Sequence, residues 1–137
     1  MPDKTVHEIR VSVKSDTDVI VACQKGRALA ARLGFSSDDQ VVVVIAISEV
    51  ARNIVRYAQT GEIILAPVRQ EDRHGVVVTA RDEGPGIPDI EQALQDGYST
   101  GGGLGLGLSG AKRLMDEFKI TSQVGKGTMI EMIKWKQ

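Results

Sequence analysis

The chain has 137 residues, of which 42% are hydrophobic and 26% are charged, so it can form one domain that buries its own core without disulfides or structural metals. Its 17 basic and 18 acidic residues leave a formal net charge of −1, which gives no indication of a nucleic-acid or anionic-membrane partner. The longest apolar run, Val41 to Ile47, is too short to cross a bilayer, and the N-terminus lacks the apolar core of a signal peptide, so a cytoplasmic protein is expected.

The N-terminal part of the chain predicts a strand and a helix. Apolar residues alternate from Val6 to Val13, which predicts an edge-type strand. Asp16 and Thr17 can cap a helix that ends just before Gly34, a C-terminal stop. The single cysteine, Cys23, excludes an internal disulfide and a cysteine-based metal cluster, and we interpret it as a small buried side chain on this helix.

A second helix is predicted to end at about Tyr57. Two overlapping capping boxes precede it within Ser36–Gln40, one starting at each serine. The run Val41–Val44 taken alone favours a strand, because β-branched residues pack well in sheets. The preceding caps and the helical spacing of Glu49 and Asn53 favour a helix instead.

The rest of the chain predicts a mostly antiparallel arrangement of strands. The predicted elements are strands Glu62–Val68 and Val76–Asp82 around a charged turn, a short helix capped by Asp89 and ending near Gln95, a glycine-rich stretch Gly97–Gly107, a helix Leu108–Asp116, and a hairpin of Lys119–Val124 and Thr128–Trp135 turned by Gly125–Gly127. This order predicts an α+β, two-layer sandwich in which a mixed, mostly antiparallel sheet carries helices on one face. A single domain is expected over residues 1–137.

The first candidate site is the pair Glu49 and Asn53. The two residues are one helical turn apart, so their side chains project from the same face. A carboxylate beside an amide oxygen suits deprotonation of a nucleophile and the holding of Mg²⁺ near a phosphate chain. The alternative is that both side chains lie on a solvated face.

The second candidate site is the turn that follows the strand Val76–Asp82. Gly84 and Gly86 allow close backbone approach and unusual dihedral angles, and Pro85 stiffens the turn. The carboxylate of Asp82 could accept a hydrogen bond from the exocyclic amine of a base. A plain tight turn with a solvated aspartate is the alternative.

The third candidate site is the glycine-rich stretch Gly101–Leu108. Leucines alternate with its glycines and a helix follows, which suits backbone N–H groups that hold phosphate oxygens at a helix N-terminus. No strand precedes the G-x-G-x-x-G match at Gly105–Gly110, so a dinucleotide fold is not indicated. The P-loop pattern also fails, because Ile120 stands where Gly125-Lys126 would need a glycine.

Together the three sites resemble the GHKL, or Bergerat-fold, ATP-binding domain. Glu49 and Asn53 match the N box, in which the family's asparagine binds Mg²⁺ and its glutamate acts as the base. The resemblance implies ATP and Mg²⁺ as cofactors. The remaining matches are Asp82, Gly84 and Gly86 in the adenine motif, the stretch Gly103, Leu104, Gly105, Leu106 and Gly107 in the motif that closes over the phosphates, and Thr128 in the last motif, whose hydroxyl helps to bind adenine.

Within that family the chain resembles the RsbT-type serine/threonine kinases. The matching segments are Ile47–Ile54, Glu83–Ile90, Lys112–Phe118 and Ile133–Trp135. The resemblance implies phosphorylation of a STAS-domain protein of the stressosome, with a PP2C-type phosphatase as a second candidate partner. Three alternatives stay open: an anti-sigma factor of the same fold that sequesters a sigma subunit, a plain ATPase in which the base activates water, and a degenerate nucleotide-binding module.

Overall fold

The computed structural model describes residues 8–95 and 107–137. Five strands and four helices are found in these ranges, and after β1 they follow one another as pairs of helices and pairs of strands. The strands are β1 (Ile9–Val13), β2 (Gly61–Gln70), β3 (Arg73–Asp82), β4 (Glu117–Gln123) and β5 (Gly127–Trp135). The helices are α1 (Asp16–Arg32), α2 (Ser37–Asn53), which continues into a π-helical turn (Ile54–Ala58), α3 (Ile90–Ala93) and α4 (Gly107–Leu114).

The strands form one sheet in the order β1-β2-β3-β5-β4. All four pairings are antiparallel within the described ranges, so the predicted mostly antiparallel sheet is confirmed and the predicted parallel component is not found there. Helices α1, α2 and α4 cover one face, as predicted. The buried layer between them and the sheet includes Val43, Ile47, Val50, Ile63, Leu65, Val76, Val78 and Met132.

The cap of the first helix lies one residue before the predicted caps, Asp16 and Thr17. Asp16 is the first helical residue and Ser15 occupies the cap position, while the Asp18 carboxylate accepts a hydrogen bond from the Lys14 N–H at 2.9 Å. Gly34 ends the helix as predicted, with φ +86°, a conformation in which a side chain would be strained. The Phe35 N–H then closes the turn on the carbonyl of Ala30 at 2.9 Å.

The second helix uses the first of the two capping boxes. The Ser36 hydroxyl accepts a hydrogen bond from the Asp39 N–H at 3.1 Å, so Ser36 is the cap and Ser37 is the first helical residue. The valine run is helical, as predicted, because its buried member Val43 packs against the core. The regular helix ends at Asn53, earlier than expected, since the chain widens there into a π-turn closed by Gln59 N–H and the Ile54 carbonyl.

Several element ends differ from the sequence-based expectations by a few residues. Strands β2 and β3 extend into the predicted charged turn, because their charged ends lie on exposed positions, and only Glu71 and Asp72 remain in the turn. Helix α3 ends at Ala93, although its cap at Asp89 is confirmed by a hydrogen bond from Gln92 N–H at 3.0 Å. Helix α4 ends at Leu114, and the β4–β5 hairpin is confirmed, but its turn is Val124–Lys126, one residue earlier than predicted, because Gly127 already pairs with Gln123. No helix in the described part of the chain is long and apolar enough to span a membrane.

Candidate functional site

A cleft of about 340 Å³ lies between the end of α2, the end of β3 and the start of α4. The segment Pro85–Ala93 and strand β5 complete its walls. Its volume is within the roughly 300–1,000 Å³ typical of small-molecule sites. Of the predicted site residues that the structure describes, all except Gly84 line this cleft; they are Glu49, Asn53, Asp82, Gly86, Gly107 and Thr128.

The carboxylate of Glu49 lines the cleft and is bonded through both oxygens. Its Oε2 accepts a hydrogen bond from the backbone N–H of Gly107 at 3.0 Å. Its Oε1 accepts one from the guanidinium of Arg52 at 3.1 Å. The Glu49 side chain is only 8% exposed, so these two donors replace most of the water that a free carboxylate would bind. The solvated-face alternative for Glu49 is therefore wrong.

Asn53 also lines the cleft, one turn after Glu49 on α2. Its amide oxygen is a hard donor of the kind that Mg²⁺ accepts. The described residues include no cluster of three or more histidine, cysteine, aspartate or glutamate side chains around a common centre. A cation held at Asn53 would thus take most of its ligands from water and phosphate, which is how Mg²⁺ is commonly bound in nucleotide sites.

Asp82 lines the cleft from the last position of β3. Its Oδ1 accepts a hydrogen bond from the Gly84 N–H at 2.9 Å, which fixes the orientation of the carboxylate. Its Oδ2 makes none of the hydrogen bonds found among the described residues. This arrangement leaves one acceptor oxygen available to a ligand that offers a donor.

The glycines after Asp82 allow the turn to pack closely against two neighbours. A Cβ at Gly84 would lie 2.6 Å from the Cβ of Ala58 in the π-turn. Gly86 has φ +80°, and a Cβ there would clash with the backbone of Gln123 on β4. Both positions therefore require glycine on steric grounds. Close packing of the turn accounts for the spacing of these two glycines after Asp82.

Thr128 lies beside Asp82, because the two residues pair directly across β3 and β5. Its hydroxyl lies 2.8 Å from the hydroxyl of Ser122, which in turn accepts the Ile87 N–H at 2.7 Å. Ser122 thus joins the turn after β3 to the β4–β5 hairpin. Sequence reasoning missed Ser122, because a turn at Gly125–Gly127 would bring Val124 opposite Thr128, whereas the observed register pairs Ser122 with Thr128.

Gly107 is the last residue of the predicted phosphate motif and begins α4. It has φ +68°, a left-handed conformation that favours glycine, and its N–H donates to Glu49 instead of standing free. Four other residues predicted for this motif, Gly103, Leu104, Gly105 and Leu106, lie outside the described residues.

Cys23 lies on α1 and packs against the middle of α2. Its Sγ donates to the Val44 carbonyl at 3.7 Å and the residue is half-buried. Burial raises the pKa of the Cys23 thiol, and the positive charge of Arg52 opposes that rise. Since the net direction is upward, the thiol is protonated at neutral pH, consistent with its interpretation as a packing residue.

Comparisons with known proteins agree with this geometry. The family described as "Histidine kinase-like ATPase domain" matches residues 13–134. The serine/threonine-protein kinase RsbT of Bacillus subtilis (strain 168) is 49% identical over 125 residues, which cover 91% of this chain and 94% of that protein. An anti-sigma F factor of Geobacillus stearothermophilus is 35% identical over 114 residues, with 78% of this chain and 77% of that protein covered.

Solved structures support the same fold. The mycobacterial sensor histidine kinase MprB superposes with a TM-score of 0.56 at 16% identity, covering 96% of this chain and 98% of that one. The catalytic domain of histidine kinase ThkA gives a TM-score of 0.54 at 14% identity, covering 93% and 96%. At such low identity the likeness concerns the fold alone. The family and sequence matches go further: the chain belongs to the histidine kinase-like ATPase, or GHKL, family, and within it to the RsbT-type serine/threonine kinases.

Proposed function

We propose that this chain is a cytoplasmic kinase of a bacterial stress-signalling switch, which uses Mg²⁺ and ATP to phosphorylate a serine or threonine of a STAS-domain partner in the stressosome. The observation that supports it most is that one cleft is lined by Glu49 and Asn53 of α2 together with Asp82 of β3 and Thr128 of β5. A PP2C-type phosphatase that reverses the modification is a second proposed partner.

The base-binding end of the cleft is assigned to Asp82 and Thr128. The free Oδ2 of Asp82 accepts a hydrogen bond from the exocyclic amine of adenine, and the Thr128 hydroxyl provides a second polar contact. Since the Gly84 N–H and Ser122 hold these two groups in place, little side-chain freedom is lost on binding.

The phosphate end is assigned to Glu49, Asn53 and the N-terminus of α4. Asn53 holds Mg²⁺, which neutralises phosphate charge when bound. Glu49 accepts the proton of the partner's hydroxyl as the γ-phosphoryl group is transferred. The backbone of the stretch Gly103–Leu106, which includes Leu104 and Gly105, is assigned to the phosphate oxygens, because the Gly107 N–H is bonded to Glu49. Most of the rate enhancement then comes from positioning and charge neutralisation.

Replacing Asn53 with alanine should weaken Mg²⁺-dependent nucleotide binding much more than metal-free binding. The reason is that its amide oxygen is assigned to the metal and not to the base. Calorimetric titration of ATP, once with Mg²⁺ and once with excess chelator, measures the two affinities. Gln70→Ala provides a control, because that side chain lies at the end of β2 and does not line the cleft. Equal losses of affinity with and without Mg²⁺ would contradict the assignment.

Transfer of label from γ-labelled ATP to a purified STAS-domain protein tests the proposed function. Label should appear on a serine or threonine of the partner and should survive mild acid, unlike a phosphohistidine. Release of free phosphate at a rate that the partner does not change would favour a plain ATPase. Binding of the partner without labelling would reject the kinase assignment for that partner.

An anti-sigma factor is the second candidate function, and the relatives named anti-sigma F factor favour it. Their identity to this chain is lower than that of the kinase relative, and less of the chain is covered. Parallel pull-downs against a sigma subunit and a STAS-domain protein distinguish the two roles. Retention of the sigma subunit alone would replace the kinase proposal.

A further inference from the structure

Arg52 lies on α2 between Glu49 and Asn53 in the sequence, and its side chain contacts Glu49. Its Nη2 lies 3.1 Å from Glu49 Oε1 and 3.3 Å from the Ser48 hydroxyl. Its Nε donates to the Ser48 carbonyl at 3.3 Å. The Arg52 side chain lines the cleft and is 39% exposed, so it can move, whereas the Glu49 side chain is nearly buried.

The two bonds of the Glu49 carboxylate differ in how easily they can be exchanged. The donor to Oε2 is a backbone N–H at the start of α4, which moves only with the helix. The donor to Oε1 is a long, partly exposed side chain. A hydroxyl that is to lose its proton to Glu49 must come within hydrogen-bond reach of a carboxylate oxygen. Of the two oxygens, Oε1 is therefore the one that can be freed, and Arg52 is the group that must leave it.

A polyphosphate at this end of the cleft competes for the same guanidinium. Arginine matches phosphate in charge and fork geometry, and its bonds to phosphate are among the stronger hydrogen bonds in proteins. Two arginines line the cleft, Arg52 and Arg56, but of these only Arg52 is bonded to Glu49 in the described structure. ADP lacks the terminal phosphate and should therefore compete less strongly than ATP for the Arg52 guanidinium.

We propose that Arg52 holds Glu49 Oε1 while the phosphate end is empty and moves to the terminal phosphate when ATP binds, which frees Oε1 for the partner's hydroxyl. The proposal rests on the proposed function and adds a regulatory step to the same site. It makes the base available when ATP, rather than ADP, occupies the cleft.

A double-mutant cycle of Glu49→Gln and Arg52→Gln, read by calorimetric affinities for ATP and ADP, tests this exchange. If ATP must compete with Glu49 for Arg52, then Glu49→Gln alone tightens ATP binding by about three- to fivefold, the upper part of the range measured for exposed ion pairs. In the Arg52→Gln background, Glu49→Gln should change the affinity for ATP clearly less. ADP affinity should change less than about twofold in all three variants, which also reports that they are folded.

The remaining outcomes overturn the exchange. Equal tightening of ATP binding in both backgrounds would mean that Glu49 simply repels the phosphate. Equal effects on ATP and ADP would mean that the ion pair is structural. Arg27→Gln is the matched control, because it removes the same charge from α1 outside the cleft, and it should leave both affinities unchanged. If the wild-type protein binds no ATP, the proposed function itself is wrong. If it binds ATP but none of the variants changes the ATP affinity, only the proposed role of Arg52 is wrong.

Discussion

Glu49→Gln should lower phosphoryl transfer to the partner by roughly 10²–10⁴-fold, the range for loss of a general base, while ATP and partner binding are retained. Glutamine can still accept the Gly107 N–H through its amide oxygen, so the buried contact with α4 is kept. It cannot take up a proton at neutral pH. The measurement is the initial rate of label transfer from γ-labelled ATP to the STAS-domain partner, with free phosphate followed in parallel.

Glu62→Gln is the matched control for this variant. Glu62 is also ion-paired, with Arg10 at 3.2 Å and Arg81 at 3.5 Å, but it lies on β2 and does not line the cleft. The control should transfer label at the wild-type rate. If Glu49→Gln also transfers label at that rate, the base is another group and the proposed mechanism is wrong. Circular dichroism of the Glu49→Gln protein shows whether it is folded, so that a loss of transfer caused by unfolding is recognised.

Asp82→Asn should lower ATP affinity at least tenfold, because a hydrogen bond to a charged acceptor is worth about 1.5–3 kcal/mol and each 1.4 kcal/mol is a factor of ten. The Gly84 N–H needs an acceptor, so the asparagine oxygen takes the place of Oδ1. The amide nitrogen then takes the place of Oδ2. It presents a donor to the donor amine of adenine, and calorimetric titration of ATP measures the loss.

The specificity of this loss can be checked with a second nucleotide and a second variant. Because the change alters the base contact and not the phosphate end, ATP and ADP should be affected equally. Asp72→Asn, in the exposed turn between β2 and β3, removes the same charge far from the cleft and should change neither affinity. Unchanged nucleotide affinity of a folded Asp82→Asn protein would remove Asp82 from the adenine site.

Local patterns in the sequence were sufficient for most elements and for the residue types of the site. Helical spacing and the cap before it outweighed the strand preference of Val41–Val44, and the structure confirms the helix that brings Glu49 and Asn53 to one face. The glycine spacing after Asp82 and the turn at Gly125–Gly127 also reflect local requirements, namely positive φ angles and close backbone approach. Element ends were less predictable, since pairing and packing partners decide where a strand or helix stops.

The contacts that make a site from these residues were decided by the tertiary structure. The sheet order inserts β5 between β3 and β4, which places Thr128 directly opposite Asp82. The bond between Gly107 and Glu49 joins residues 58 positions apart. The pairing of Arg52 with Glu49 and the position of Ser122 were likewise not predicted. The periodicity of a segment indicates on which face of its own helix or strand a side chain lies. The distance between two elements depends on how the whole core packs, so it cannot be read from the pattern of one segment.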